Sequence, residues 1–248
     1  MRIYLTGRLT LESGAGLLDE TELPARQGRL AFAYLVMERR RPLPRQELAQ
    51  AIWGDEAPDA WDASLSALLS RLRRLFRTIA LDGDIETVSG SVSLHLPADT
   101  WVDVDEARNA IDDAEGALRA GRHGEAWTHA AVALSITVRG FLAGEELPWV
   151  VRERERLRTD HVRALECLAE ASLSLGDAVA ALRYARECAH LEPYRESAYE
   201  RMMRAHLASG NRAEALRVYE ALRSLLAEEL GTDPSAPLEA AYLKALRG

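Results

Sequence analysis

The sequence predicts a mainly α-helical protein with a small β component, divided into two parts of unlike character. Up to about residue 100, short strand-like segments alternate with helical stretches and close on a hairpin pattern. From residue 101 onward every segment reads as helix, with glycines between. Within that second part "GDAVAALRYA", from Gly176, is echoed by "GNRAEALRVY", from Gly210, 34 residues later. Thirty-four residues is the period of a tetratricopeptide helix pair. A boundary within residues 96–105 gives expected domains 1–100 and 101–248, each long enough to bury a core.

The elements of the first part follow in order. "RIYLTG", "RLTLES" and "LLDETEL" read as three strands separated by Gly7, Gly14 and Gly16, with "GAG" at 14–16 as a turn. "RQGRLAFAYLVMER" then places Leu30, Ala33, Tyr34 and Met37 at i, i+3, i+4 and i+7, the spacing of one helix face. In "PRQELAQAIW", Leu48, Ala51 and Ile52 share a side, and Pro44 suits the first turn, where a missing N–H is harmless. A third helix starts in "PDAWDASL", with Asp59 as the expected N-cap and Asp62 adding a carboxylate at the positive helix end. Leu65, Leu68, Leu69, Leu72, Leu75, Phe76 and Ile79 fall on one apolar arc. Finally "DIETVSGSVSLHL" alternates Val92, Leu94 and Leu96 against Ser91, Ser93 and His95, and Ser89-Gly90 supplies the hairpin turn.

In the second part Gly176, Ala181 and Leu182 recur as Gly210, Ala215 and Leu216. A looser copy, "GRHGEAWTHA", begins at Gly121, so stacked helix pairs are expected. "ESAYERMMRAHLASG" adds a helix whose stripe is Tyr199, Met202 and Met203, with His206 as a core histidine.

Composition excludes several classes of function. No apolar run approaches the roughly 20 residues of a membrane span, and the start lacks the order of a signal peptide. A cytoplasmic protein without a membrane partner is expected. Cys167 and Cys188 are too few for a disulfide framework, and the six histidines share no metal-ligand spacing. No Gly-rich phosphate loop or nucleophile motif occurs, so neither an enzyme, a metal nor a cofactor is expected. The pairs Glu145-Glu146 and Glu228-Glu229 are expected to be solvated, and the five tryptophans to serve cores or domain contacts.

Charge is informative in its distribution. The chain carries 31 basic and 39 acidic residues, and residues 1–100 are close to neutral, with 12 arginines against 14 acids. Yet "SLSALLSRLRRLF" concentrates Arg71, Arg73 and Arg74, with Arg77 just beyond. Short helices, a third amphipathic helix and a closing hairpin describe a winged helix–turn–helix, in which the third helix enters the major groove. Its far face offers small residues, Ala63, Ser66, Ala67 and Ser70, that admit close backbone approach, and arginines that reach guanine edges or phosphates. The expected double-stranded DNA contacts are therefore Ser66, Ser70, Arg71, Arg73, Arg74 and Arg77. Arg45 on the preceding helix and Ser91 and Ser93 on the hairpin complete the set.

"RPLPRQELAQAIWGDE", "SALLSRLRRLF" and "ETVSGSVSLHL" together resemble the OmpR-type winged helix of the antibiotic-regulator (SARP) family. The stretch from "LEPYRESAYERMMRAHL" to "PLEAAY" is similar to that family's bacterial transcriptional activator domain, including its E-E-L-G-x-x-P close at Glu228 to Pro234. The resemblance implies a regulator, usually an activator, that binds promoter direct repeats, recruits RNA polymerase and pairs as a possible homodimer. The chain departs from the family at Ser66, Ala67 and Leu68, where relatives often carry larger polar groups, and at Val92 and Ser93 in the wing. A contrasting reading is a protein-interaction scaffold whose winged helix has no DNA affinity.

Overall fold

A computed structural model describes residues 1–14, 16–78 and 83–247. They form two compact units, one of residues 1–106 with 139–156, the other of residues 107–138 with 157–248.

The first unit begins with three antiparallel strands, β1 (Arg2–Tyr4), β2 (Thr10–Ser13) and β3 (Gly16–Asp19), and a parallel fourth, β7 (Trp101–Val102), beside β1. Register aligns Leu18, Leu11, Ile3 and Val102 in one row across the sheet, each at most 2% exposed. β7 falls inside the expected linker. Its two residues are too short a run for alternation to reveal.

Three helices follow: α1 (Ala25–Met37), α2 (Arg45–Trp53) and α3 (Trp61–Thr78). The side predicted for α1 is only part of what it buries, because Ala31, Phe32, Leu35 and Val36 are covered as well. Tyr34 and Met37, placed on that stripe, are half-buried. α3 starts at Trp61 rather than after Asp59, and Ala60 O accepts its first bond, from Ser64 N. Asp62 does lie in the first turn. Leu65, Leu68, Leu69, Leu72 and Phe76 are buried as the arc requires, and Phe76 meets Phe32 edge to face at 5.9 Å. Leu75 is half-buried, and Ile79 lies outside the described residues, as does Ala15 of the expected turn. The hairpin is β5 (Asp84–Val88) and β6 (Ser91–His95), joined to β4 (Leu43–Pro44). Ser89 and Gly90 both have positive φ, the signature of the tight hairpin turn.

Residues 139–156 join this unit from far along the chain. Gly140 O accepts from Gly7 N, and Thr6 bridges Phe141. Trp149 donates to Ala51 O at 2.8 Å, and Leu147 packs within 3.1 Å of where a Cβ on Gly54 would stand. Glu145, expected in solvent, is 6% exposed, with Arg26 2.7 Å away and Arg29 at 3.9 Å. A lone loop carboxylate would be solvated, but burial against two guanidiniums keeps this one paired.

The second unit stacks α4 (Asp103–Arg119) with α5 (His123–Thr137), α6 (Pro148–Ser174) with α7 (Ala178–Leu191), and α8 (Glu196–Ala208) with α9 (Arg212–Leu230), then α10 (Ala236–Arg247). The first turn of α4 and the first turns of α6 fall in the first unit. The repeat is regular in geometry even where the sequence match is faint. Gly121, Gly176 and Gly210 have φ of 72°, 83° and 72°, and a helix begins two residues after each. The alanine five residues on (Ala126, Ala181, Ala215) is fully buried in every copy. The first two glycines are 55 residues apart, 21 more than the repeat needs, and that excess contains the 139–156 excursion.

Charge clamps fix one helix pair against the next. Glu166 receives Arg195 at 2.5 Å and Arg201 at 3.1 Å, and Glu170 receives both ends of Arg204 at 2.8 Å. Burial works against both carboxylates, yet these donors hold them below the usual carboxylate range. Burial pushes the Cys167 and Cys188 thiols up to about 11, which makes them packing groups. Tyr219 and Tyr242 stack at 4.0 Å and tie α10 to α9. Trp127, in contrast to the expectation for tryptophan, is 39% exposed on α5.

Asp103 is completely buried and accepts from Leu5 N, Thr6 N, Thr6 Oγ1 and Val104 N at 2.7–2.9 Å. Asp103→Ala strands two strand amides, so a loss of roughly 3–5 kcal/mol is expected from denaturant unfolding of the full chain. A loss under about 1 kcal/mol would contradict the role assigned to this carboxylate.

His161 and His206 supply a pH dependence. Burial lowers both pKa values, against Glu187 at His161, while Arg186 adds to the lowering at His206. The unfolded chain then takes up protons first as pH falls below the ordinary 6.5, so stability is full above that value and declines beneath it. Thermal melts from mildly alkaline to mildly acidic pH should show a falling midpoint, and His161→Gln should flatten the decline.

Candidate nucleic-acid interface

The candidate site is the far face of α3 with the hairpin beside it. Packing one side of α3 on α1 and α2 leaves Ala63, Ser66, Ala67, Ser70, Arg71, Arg74 and Arg77 on the remaining sides, all of them exposed. Ala63, Ala67, Ser70 and Arg74 follow at i, i+4, i+7 and i+11, one line along the helix.

The arginines divide into two kinds. Arg73 turns to the hairpin, where Nε donates to Ile85 O and a terminal nitrogen to Thr87 Oγ1, each at 2.6 Å. It is half-buried and holds β5 against α3. Arg45 is likewise spent. Its Nε pairs with Asp62 at 2.7 Å, a terminal nitrogen reaches Ser66 Oγ at 2.8 Å, and its backbone N–H donates to Gly90 O. One residue thus links the start of α2, the first turn of α3 and the hairpin turn. The side chains of Arg71 and Arg74 have no hydrogen-bond or ion-pair partner among the described residues, and that of Arg77 makes only a long 3.4 Å contact to Arg73 O.

Ser91 and Ser93 alternate with buried Val92 and Leu94, as the pattern requires, and are half-exposed. His95 bonds Glu86 at 3.1 Å across the ladder. Sequence reasoning missed Thr87 and Val88, exposed before the turn, and Val88 at 56% is among the most exposed apolar side chains described. Their place two and one residues before Ser89-Gly90 was the available signal. Ser66 and Arg45 come together beside Asp62, but Ser91 and Ser93 lie on a different element from the α3 residues.

No group of three or more His, Cys, Asp or Glu among the described residues can hold a metal. No described helix is long and apolar enough to cross a membrane.

A winged helix–turn–helix and a tetratricopeptide-like helical unit in one chain define the class of modular transcription regulators. The family described as bacterial transcriptional activator domain matches residues 102–246, and the chain belongs to it, with SARP-family proteins as its relatives. Regulatory protein AfsR of Streptomyces coelicolor is 32% identical over 213 residues, covering 86% of this chain and 21% of AfsR. Transcriptional regulatory protein EmbR of Mycobacterium tuberculosis is 28% identical over 238 residues, covering 93% of this chain and 60% of EmbR. A solved structure of M. tuberculosis EmbR with a low-affinity phosphopeptide superposes with a TM-score of 0.86 at 26% identity, covering 99% of this chain and 65% of that one. The chain therefore spans between a fifth and three-fifths of the length of these curated relatives.

Arg73→Ala should lower stability by about 1–2 kcal/mol and speed hydrogen exchange of the β5 and β6 amides, because it removes two hydrogen bonds to the hairpin. Arg74→Ala should stay within about 0.5 kcal/mol of the parent. Equal exchange rates in the two variants would show that Arg73 does not fix the hairpin.

Proposed function

We propose that this regulator binds double-stranded DNA by placing α3 in the major groove, with the hairpin against the flanking backbone. The observation that carries the reading is the outward line Ala63, Ala67, Ser70 and Arg74, with Arg71 and Arg77 at its sides. Small residues over the first turns let the backbone approach base edges, and the uncommitted guanidiniums can take guanine or phosphate oxygens. Arg45 and Arg73 act indirectly, by holding α3 and the hairpin in one arrangement. Ser91 and Ser93 donate to phosphate without adding charge.

We assign DNA contact to the first unit and protein contact to the second. The excess of acids over bases after residue 100 disfavours a phosphate surface there, and stacked helix pairs offer faces for protein partners. By family, the site is a promoter direct repeat, the partners are RNA polymerase and a second copy on the adjacent repeat, and the outcome is activation.

Fluorescence anisotropy on promoter fragments across a salt series tests the interface. The triple variant Arg71→Ala/Arg74→Ala/Arg77→Ala should remain folded, and its log–log salt slope should shrink by about 0.9 for each phosphate it no longer neutralises. Unchanged affinity in the folded variant removes α3 as the DNA-binding element, and no binding by the parent even at low salt favours the scaffold reading. In-vitro transcription at saturating promoter occupancy tests recruitment, which requires more transcript with the regulator than without it.

A further inference from the structure

A cleft of about 540 Å³ opens on the first unit, lined by α1, the end of β4, α2 and the start of α6 without any residue of α3. Its volume is that of a site for a small organic ligand. The apolar part is aromatic: Tyr34 and Trp149 meet edge to face, with ring centroids 5.0 Å apart. Pro44 and Pro148 add rigid walls to the same lining.

The polar groups sort by whether they are already spent. The Trp149 indole N–H donates to Ala51 O, and the Tyr34 hydroxyl donates to Glu47 at 2.8 Å. Burial and Glu47 push the Tyr34 phenol up to about 12, so it remains a donor at neutral pH. Glu47 also receives two nitrogens of Arg41, at 3.0 and 2.5 Å, which neutralise its charge. What remains is cationic and amide. Arg152 is exposed, with no ion-pair or hydrogen-bond partner among the described residues. The amides of Gln46 and Gln50 are in the same lining, Gln50 making only a long 3.4 Å bond to Asp55.

A cation would meet Arg152 with Glu47 already paired, and an uncharged ligand would leave the Arg152 guanidinium without a counter-charge. A flat ring system with one carboxylate satisfies both halves, with its ring on Trp149 and Tyr34 and its oxygens forked by the guanidinium. We propose that this cleft binds a planar aromatic carboxylate.

Calorimetric titration of the full chain with indole-3-acetate and 2-naphthoate, beside their primary amides, tests this. At least one acid should bind saturably at one per chain with Kd below about 1 mM, and its amide should bind roughly tenfold more weakly or not at all. Arg152→Gln should reduce acid affinity to the level of the amide. Because Arg152 is exposed, that variant should melt with the parent in the absence of ligand. No saturable binding of either acid, equal binding of acid and amide, or undiminished acid binding by Arg152→Gln overturns the proposal.

Discussion

Three residues near the start of the chain, Leu5, Thr6 and Gly7, are where the first unit is closed. The amides of Leu5 and Thr6 end on the buried carboxylate of Asp103, and Thr6 and Gly7 pair with Gly140 and Phe141. A strand end that would otherwise leave its donors unsatisfied in the interior is thereby capped by two segments far along the chain. The β1–β7 pairing, the placement of α4 at its first residue and the return of 139–156 all depend on this corner. The helices that hold α3 rest in turn on the returning segment, through Trp149 on Ala51 and Glu145 on Arg26.

The arginines of the first unit illustrate how one residue type serves two ends. Arg45 and Arg73 use the fork of the guanidinium to join elements, each making bonds to two or more groups. Arg71 and Arg74 lie on the same helix as Arg73, but their side chains make no hydrogen bond or ion pair among the described residues, although Glu22 lines the same hollow. Sequence spacing places all three off the leucine arc and does not separate them. Only the hairpin, folded back on α3 from residues 84–95, makes Arg73 a structural group.

The second unit shows the opposite balance. Helix pairs repeat because a glycine with positive φ ends each first helix and an alanine admits the next one closely. The Glu166 and Glu170 clamps then set α6 against the α7–α8 connection and α8 with charge-assisted bonds that tolerate no change of register. The 139–156 excursion explains why the copy at Gly121 is weak as a repeat: its spacing to the next copy is stretched by a segment that packs in the other unit.

Local information in the sequence determined the periodic features. Strands β1 to β3, the three helices of the winged unit, the hairpin turn at Ser89-Gly90 and the 34-residue repeat all follow from alternation, helical spacing and glycine, which act within a few residues. The apolar arc of α3 was legible for the same reason, and with it the outward face of the candidate interface. Features that depend on distant partners were not legible. The two-residue strand β7 exists because β1 offers it an edge, Glu145 is buried because Arg26 and Arg29 lie over it, and Arg73 is engaged because Ile85 O comes within reach. In the sequence Asp103 is one more acid at a helix start. Its role is fixed by two strand amides 97 and 98 residues away, a separation across which the sequence carries no periodic signal.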